Sequence, residues 1–381
     1  MENFVIIGAN SFQNRLILKA KEMGYRTHVF AWECGDVGEK TADVFYPVSI
    51  TEKEKILEIC KELAPCGIAS IASDLAVITV NYVAEALGLN GNAYKDSVIC
   101  TNKHAMRQAF EAAGVAVPKF MKVSCPPDEE ALKYFKFPLI VKPTDRSGSR
   151  GITKVESFGD VKEAINAAIT HSFEKCAVIE EYIEGDEYSC ECISFEGEHS
   201  FLAFTKKFTT GAPNFVETGH EQPSDIPKEY FDEIKEQIFK ALNALNIKNG
   251  ASHTEFRINR NGEMRIIEIG ARMGGDCIGS DLVFLSTGVD FVRGVVDVAC
   301  GKRPDLTPIH APQKAVIKFI FNKNDIAEFE MDKEDKSKHL KYVSDMDYAN
   351  IGLVTDSSNR VGYYIYRVLI HSSHLIKPPL M

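Results

Sequence analysis

Two glutamates flanking a predicted β-turn are the clearest chemical feature of this 381-residue sequence. Residues 254–269 alternate apolar and polar side chains around Asn261-Gly262, a dipeptide typical of two-residue hairpin turns because both turn positions require positive φ. In that register Glu255 lies directly opposite Glu268. Opposed carboxylates repel unless a cation lies between them, and Mg²⁺ binds one or two carboxylates together with substrate phosphates. The hairpin therefore predicts a metal-phosphate site, and the alternative is an exposed hairpin whose acids point into water.

The other face of the hairpin is apolar, which supports this register. It carries Phe256, Ile258, Ile267 and Ile269, which are expected to pack on a core.

An arginine follows the second strand of the hairpin. Arg272 precedes the flexible pair Gly274-Gly275. Its guanidinium can donate two parallel hydrogen bonds to a carboxylate or a phosphorylated oxyanion. We expect it to contact such a group, to form a salt bridge with Glu255 or Glu268, or to do both.

A lysine followed by a glycine-serine loop lies further upstream. The predicted strand 139–142 ends in Lys142, and the loop 143–151 reads PTDRSGSRG. Backbone N–H groups of such a loop can surround phosphate oxygens while the lysine supplies a point charge. The Walker pattern Gly-x-x-x-x-Gly-Lys-Ser is absent, so the loop indicates another kind of phosphate site or only a surface hairpin.

Acidic and apolar residues alternate in the next strand, at 179–187. An edge segment of this kind can offer backbone amide and carbonyl groups to an adenine, and a later carboxylate can hold ribose hydroxyls. The alternative is an acidic strand end and turn.

Strands alternate with helices in the first hundred residues, a pattern that predicts a parallel α/β domain. We predict strands at 4–7, 27–32 and 67–72 and helices at 14–23 and 75–87.

Beyond residue 102, short strands dominate. We predict helices at 103–113 and 231–245 and strands at 139–142, 153–155, 177–183, 188–195 and 362–370.

Gly8, after the first strand, suggests a dinucleotide-binding turn. Asn10 and Gln13 occupy the places of the second and third glycines of that fingerprint, although Glu33 could act as the ribose-binding acid. A nicotinamide-dependent oxidoreductase is therefore a minor alternative.

Composition excludes several classes of protein. The formal charge of -10, from 44 basic and 54 acidic residues, disfavours nucleic acid as a partner. No apolar run reaches the roughly 20 residues that cross a bilayer, and no leader is evident, so we expect an untargeted cytoplasmic protein without a membrane partner. The ten cysteines contain no Cys-x-x-Cys pair and indicate neither a zinc site nor a disulfide framework.

Taken in order, these features resemble the ATP-grasp carboxylate-amine ligases, and the L-amino-acid ligases most of all. The resemblance extends from the amino-terminal sheet to about Pro304. The residues that carry it are Lys103, Lys142, residues 147–151, Glu180, Glu181, Tyr182, Ile183, Glu187, Glu255, Glu268 and Arg272.

The resemblance implies a role for each of these residues. Glu255 and Glu268 would ligate Mg²⁺, or Mn²⁺ in its place, and Arg272 would steady an acyl phosphate. Many members have asparagine two residues after the second acid, where this chain has Gly270. The residues implied in ATP binding are Lys103, Lys142, Ser147, Gly148, Ser149, Gly151, Glu180, Glu181, Ile183 and Glu187.

Residues 214–224 resemble the substrate segment of amino-acid ligases. Glu217 and His220 could recognise an ammonium or a carboxylate, and His220 could accept the proton of the amine. The alternative is a polar loop before Pro223. His253 lies one strand step before Glu255 and is either a wall of the site or, as we prefer, a sheet histidine.

The expected fold is α/β with ATP-grasp architecture. It comprises an amino-terminal parallel domain (1–100), a small nucleotide-clamping subdomain (101–190) and a large subdomain with an antiparallel sheet (191–381). The implied activity is an ATP-dependent ligation of a small-molecule carboxylate and an amine, with Lys142 and Arg272 as catalytic groups. An ATP-binding sensor or scaffold without turnover is the alternative, and a homodimer is common in such enzymes.

Overall fold

In the part of the chain that the structure describes, there are three β-sheets, each formed by a consecutive segment. The computed structural model describes residues 1–148 and 150–368, so Ser149 and residues 369–381 lie outside the described part.

The amino-terminal sheet is parallel, as predicted, with strand order β3-β2-β1-β4. Its elements are β1 (Asn3–Ile7), α1 (Ser11–Glu22), β2 (Arg26–Ala31), α2 (Val37–Thr41), β3 (Val44–Pro47), α3 (Lys53–Leu63), β4 (Gly67–Ala69) and α4 (Asp74–Leu87). Ser73 caps α4 by accepting a hydrogen bond from the Ala76 N–H, and Gly88 ends it in the left-handed conformation. Asp74, the first residue of α4, thus lies at the carboxyl end of the sheet.

The middle part of the chain forms a small antiparallel sheet, in the order β5-β8-β6-β7. Its elements, with the two helices that precede them, are α5 (Ser97–Thr101), α6 (Lys103–Ala112), β5 (Phe120–Val123), α7 (Glu129–Leu132), β6 (Leu139–Pro143), β7 (Thr153–Val155), α8 (Phe158–His171) and β8 (Ala177–Glu181). The predicted helix 103–113 and the strands at 139–142 and 153–155 are confirmed to within a residue.

The remaining strands build a large antiparallel sheet, in the order β13-β12-β9-β10-β11-β14-β16-β15. Its elements are β9 (Asp186–Phe195), β10 (Glu198–Thr209), β11 (Glu217–Gln222), α9 (Phe231–Ala244), β12 (Gly250–Ile258), β13 (Met264–Gly270), α10 (Val283–Thr287), α11 (Phe291–Ala299), β14 (Lys314–Ile320), α12 (Lys323–Glu334), β15 (Lys338–Val343) and β16 (Gly362–Val368). A turn of π-helix, Ile278–Leu282, precedes α10. The predicted strand at 362–370 is confirmed as far as Val368, and its last two residues lie outside the described part.

A shared core joins the amino-terminal sheet to the large one. Phe4 and Leu16 of the amino-terminal domain are buried in one cluster with three residues of the later part of the chain: Ile193 of β9, Met273 after β13, and Val296 of α11. This packing brings the start of α4 to the end of the β12–β13 hairpin. In the described residues, no helix is both long and apolar enough to cross a membrane.

The turn of the β12–β13 hairpin is longer than predicted. A two-residue turn would pair Arg260 with Glu263, but the N–H of Asn259 donates to the Glu263 carbonyl (3.1 Å). Three residues, 260–262, therefore form the loop. The Asn259 side chain accepts hydrogen bonds from the N–H groups of Asn261 and Glu263, which stabilises the longer turn.

A β-bulge compensates for the longer turn. Phe256 pairs with Ile266, whereas Glu255 pairs with Glu268, so Ile267 is the extra residue. The two deviations cancel, and the predicted opposition of Glu255 and Glu268 is confirmed.

The bulge also changes the apolar face of the hairpin. Phe256, Ile266 and Ile269 are buried in one core cluster, with Ile258 packed against it. The prediction that Ile267 shares this face is wrong, because the extra residue moves Ile266 into that place.

Candidate active site

A lysine ammonium is held at each of the two opposed carboxylates. Lys207 Nζ lies 2.5 Å from Glu255 Oε1, and Lys103 Nζ lies 2.8 Å from Glu268 Oε2. Burial disfavours the charged form of Glu255, but Lys207 and His253 outweigh burial and hold its pKa well below its usual range. An ionised carboxylate opposite a second one is a donor set that fits a hard divalent cation such as Mg²⁺.

Lys207 was not predicted as a site residue. It lies on β10 with a side chain that is 2% exposed, and it also contacts Glu217 Oε1 (2.8 Å) and Glu187 Oε1 (3.6 Å). The lysine thus joins the β12–β13 hairpin to the predicted substrate segment. The only sequence signal was a lysine pair inside an apolar strand, at 206–207, where a buried cation requires an acid partner.

His253 contacts two acids of the large sheet. Its Nδ1 lies against Glu191, and its Nε2 lies 3.2 Å from Glu255 Oε1. Burial alone would lower the pKa of this imidazole, but Glu191 and Glu255 raise it to about 9. The histidine is therefore both a buried sheet residue and a wall of the site.

Lys142 belongs to a buried ion-pair triad. Its Nζ lies 2.7 Å from Glu180 Oε2, while Arg107 Nε lies 2.8 Å from Glu180 Oε1. Burial opposes ionisation of Glu180, but Arg107 and then Lys142 lower its pKa to about 2. Burial, with the nearby charges of Arg107 and Lys103, lowers the pKa of Lys142. Glu180 thus holds the predicted phosphate lysine in a fixed position.

The helix α6 brings three parts of the site together. Lys103, its first residue, donates from Nζ to the Arg146 carbonyl of the β6–β7 loop (2.7 Å) as well as to Glu268. One turn later, Arg107 donates to the Ile267 carbonyl at the bulge (2.7 Å). The small sheet, the loop and the hairpin are therefore joined through one helix face.

The β6–β7 loop is anchored at its base and exposed at its tip. Asp145 accepts hydrogen bonds from the N–H groups of Phe173 and Glu174 (3.1 and 2.8 Å). Of the predicted phosphate-contacting residues, Ser147 and Gly148 are exposed and Gly151 is half-buried. Ser149 lies outside the described residues.

The predicted nucleotide strand continues from β8 towards β9. The side chain of Glu181 accepts a hydrogen bond from the Lys136 N–H (3.0 Å). Arg257 donates to the Ile183 carbonyl (2.9 Å) and to Glu187 Oε2 (2.8 Å). Ile183 and Glu187 thus lie beside the hairpin, and Glu187 also lies near Lys207 (3.6 Å).

The predicted substrate residues lie in a second charged cluster. Glu217 Oε2 lies 3.4 Å from Arg360 Nη2, and Asp276 accepts two hydrogen bonds of 2.7 Å from the same guanidinium. His220 is fully buried, 3.8 Å from Asp276, and neither ring nitrogen has a hydrogen-bond partner within the described residues. Lys207 connects this cluster to Glu255. Asp276 and Arg360 also belong to the cluster, and the sequence analysis did not predict them.

Arg272 has a partner that was not predicted. Its guanidinium pairs with Asp74 rather than with Glu255 or Glu268, through Nε–Oδ1 and Nη2–Oδ2 contacts of 2.8 and 3.1 Å. The expectation of a salt bridge to a hairpin acid is therefore wrong. The reason is tertiary: α4 of the amino-terminal sheet begins beside the hairpin end, 198 residues away in sequence.

The amino-terminal sheet is closed where a dinucleotide would bind. Gln13 is buried; its side chain donates to Ser70 Oγ (2.9 Å) and accepts from the Ile71 N–H (2.9 Å). A side chain therefore fills the place where the dinucleotide fingerprint needs glycine.

The chain is similar in sequence and in fold to known proteins. A family model described as an ATP-grasp domain matches residues 135–281, the segment that includes the loop, Glu180 and the hairpin. The solved structure of L-amino acid ligase from Bacillus licheniformis superposes with a TM-score of 0.81 at 22% identity, covering 97% of this chain and 93% of that one. This likeness shows the fold.

Two curated relatives share sequence over shorter spans. Alanine–anticapsin ligase of Bacillus subtilis is 30% identical over 308 residues, which are 71% of this chain and 64% of that protein. D-alanine–D-alanine ligase B of Chromobacterium violaceum is 27% identical over 205 residues, 51% of this chain and 66% of that protein. The chain thus spans about two thirds or less of the length of these relatives.

Proposed function

We propose that this chain is an ATP-grasp ligase, which uses ATP to join a carboxylate to an amine; the domain match at residues 135–281 and the relatives named above support this proposal. In the proposed reaction a carboxylate oxygen attacks the γ-phosphorus of ATP, which gives an acyl phosphate and ADP. The amine nitrogen then attacks the acyl carbon, phosphate leaves and an amide forms. An amino acid is the proposed substrate class, since the relatives named above are called ligases of alanine and of L-amino acids.

The opposition of Glu255 and Glu268 at the end of the hairpin is the observation that carries this proposal. These two carboxylates would hold Mg²⁺, or Mn²⁺ in its place, together with ATP phosphates. A bound divalent ion would neutralise charge on the transferring phosphoryl group.

The phosphates would be bound by Lys103, Lys142 and the loop residues Ser147, Gly148, Ser149 and Gly151. Both oxygens of Glu180 are already engaged by Arg107 and Lys142, so its proposed role is to orient Lys142. Lys207, held between Glu255 and Glu217, is suited to balance negative charge between the nucleotide and the substrate segment.

Glu181 and Ile183 would contact adenine through their backbones, and Glu187 would hold the ribose. Glu187 already accepts from Arg257, an orientation that fixes its carboxylate beside the hairpin.

Glu217 and His220 would bind the amine or amino-acid substrate. Burial and the neighbouring Asp276 raise the pKa of Glu217 against the effect of Lys207, because both destabilise the anionic form of Glu217. A substrate ammonium bound beside this carboxylate would supply positive charge and stabilise the anion. Arg272, the proposed partner of the acyl phosphate, lies at the end of the same hairpin. The cytoplasmic location and a homodimeric state stay predictions from the sequence.

The test is product formation. The protein is incubated with Mg²⁺-ATP and pooled amino acids, phosphate release is measured, and amide products are identified by mass spectrometry. Phosphate release that requires both an added carboxylate and an amine supports the ligase. Tight ATP binding without release in any pool would instead show a sensor or scaffold.

A further inference from the structure

One ion pair ties the amino-terminal sheet to the end of the metal hairpin. Asp74, at the start of α4, receives two hydrogen bonds from Arg272, which follows β13. The exposed fractions of these side chains are only 21% and 13%. The pair is therefore a built, largely buried contact rather than a surface salt bridge.

The room for this pair exists because residue 270 is glycine. A Cβ atom at Gly270 would lie 2.9 Å from both Arg272 Cζ and Asp74 Oδ1. Any side chain there would have to displace the guanidinium or the carboxylate. The place that a side chain at position 270 would fill is thus occupied by the Asp74–Arg272 pair.

The guanidinium has two other acids within electrostatic reach. Glu255 and Glu268 pair two positions from the end of the hairpin ladder, the end that Arg272 follows. Burial lowers the pKa of the Arg272 guanidinium, but Asp74 and, after it, these two carboxylates raise it. A guanidinium stays charged in proteins, and a buried one without an anionic partner is costly. Without Asp74, the acids left to Arg272 are the two that face each other across the hairpin.

We propose that Asp74 is a positioning residue that holds the Arg272 guanidinium away from Glu255 and Glu268, so that this guanidinium does not join Lys207 and Lys103 in competing with a divalent cation for the two carboxylates. The inference rests on the proposed function, because it assumes that the two hairpin acids bind the metal. The amino-terminal sheet would then influence metal binding at the hairpin through the Asp74–Arg272 pair.

Mn²⁺ binding, followed by the electron paramagnetic resonance signal of the free ion, tests this inference without turnover. We expect Asp74→Asn, which keeps the shape and removes the charge, to weaken Mn²⁺ binding about tenfold or more, the effect of one charge-assisted contact. The double variant D74N/R272Q should recover the wild-type affinity, because the competing cation is gone. Weak binding by both variants would overturn the inference.

The single variant R272Q tests the competition directly, because it removes the guanidinium and keeps Asp74. It should bind Mn²⁺ at least as tightly as the wild type, and weaker binding would contradict the competition. The matched control is D281N, which neutralises the Arg15–Asp281 pair (3.0 Å), another ion pair between α1 of the amino-terminal sheet and the large sheet region. D281N should leave Mn²⁺ affinity unchanged.

Glu268→Gln distinguishes a failure of the proposed metal site from a failure of the proposed role of Asp74. If E268Q and wild type bind Mn²⁺ equally, the hairpin is not the metal site and the proposed function loses its basis. If E268Q weakens binding while D74N does not, only the role of Asp74 is wrong.

Discussion

Glu180→Gln should destabilise the protein by about 3 kcal/mol at neutral pH. The Arg107 and Lys142 charges lower the pKa of Glu180 from an ordinary 4.5 to about 2, against the effect of burial. Each tenfold change in proton affinity corresponds to about 1.4 kcal/mol, which gives the figure of about 3 kcal/mol. Glutamine preserves the shape but leaves two buried cations with a neutral partner, a loss of the size expected for breaking a buried ion pair.

The difference between wild type and E180Q should depend on pH in a defined direction. A carboxylate whose folded-state pKa lies below its unfolded-state value contributes its full stability above about pH 4.5 and loses it as the pH falls towards 2. Between pH 7 and pH 3.5 the gap should shrink by about 1.4 kcal/mol.

Urea unfolding followed by circular dichroism at several pH values measures this gap. The control is Glu163→Gln, at an exposed position of α8, which should show little destabilisation at any pH. A gap below about 1 kcal/mol at pH 7, or one that stays constant to pH 3.5, would refute the electrostatic account of the triad.

Three further outcomes are expected. Glu268→Gln should abolish ATP-dependent turnover while leaving the circular dichroism spectrum of the folded protein unchanged, and near-normal activity would remove Glu268 from the mechanism. Glu217→Gln should raise KM for the amine or amino-acid substrate far more than KM for ATP, which steady-state kinetics with each substrate varied can decide. Gly185→Ala should destabilise the protein by about 2 kcal/mol more than Gly197→Ala, because overpacking adds to backbone strain. Both glycines have positive φ, but an added Cβ would lie 2.1 Å from a carbonyl oxygen only at Gly185, and equal urea midpoints would contradict this account.

The fold was predictable where local pattern and final structure agree. The parallel amino-terminal sheet follows from strands and helices in alternation, and α4 matches the predicted helix 75–87 to within a residue. The hairpin shows a limit of the same reasoning. Its register at Glu255 and Glu268 was correct only because a longer turn and a bulge offset each other, and neither the Asn259 side-chain contacts nor the bulge has a signal in the apolar alternation.

The unpredicted site residues share one property, a partner that is distant in the chain. Lys207 meets Glu255 across 48 residues, and Arg107 meets Glu180 across 73. Arg272 meets Asp74 across 198 residues. Such contacts depend on how the sheets pack, which periodicity and turn residues do not specify.

Arg107 donates hydrogen bonds both to the carbonyl of Ile267, the extra residue of the bulge, and to the Glu180 carboxylate. A single planar side chain therefore sets the spacing between the small sheet, which supplies Lys142, and the hairpin that supplies the two acids. Displacement of one sheet relative to the other must break at least one of these hydrogen bonds or shift α6 with it. The bulge thus makes the separation of the two halves of the site depend on the reach of one arginine.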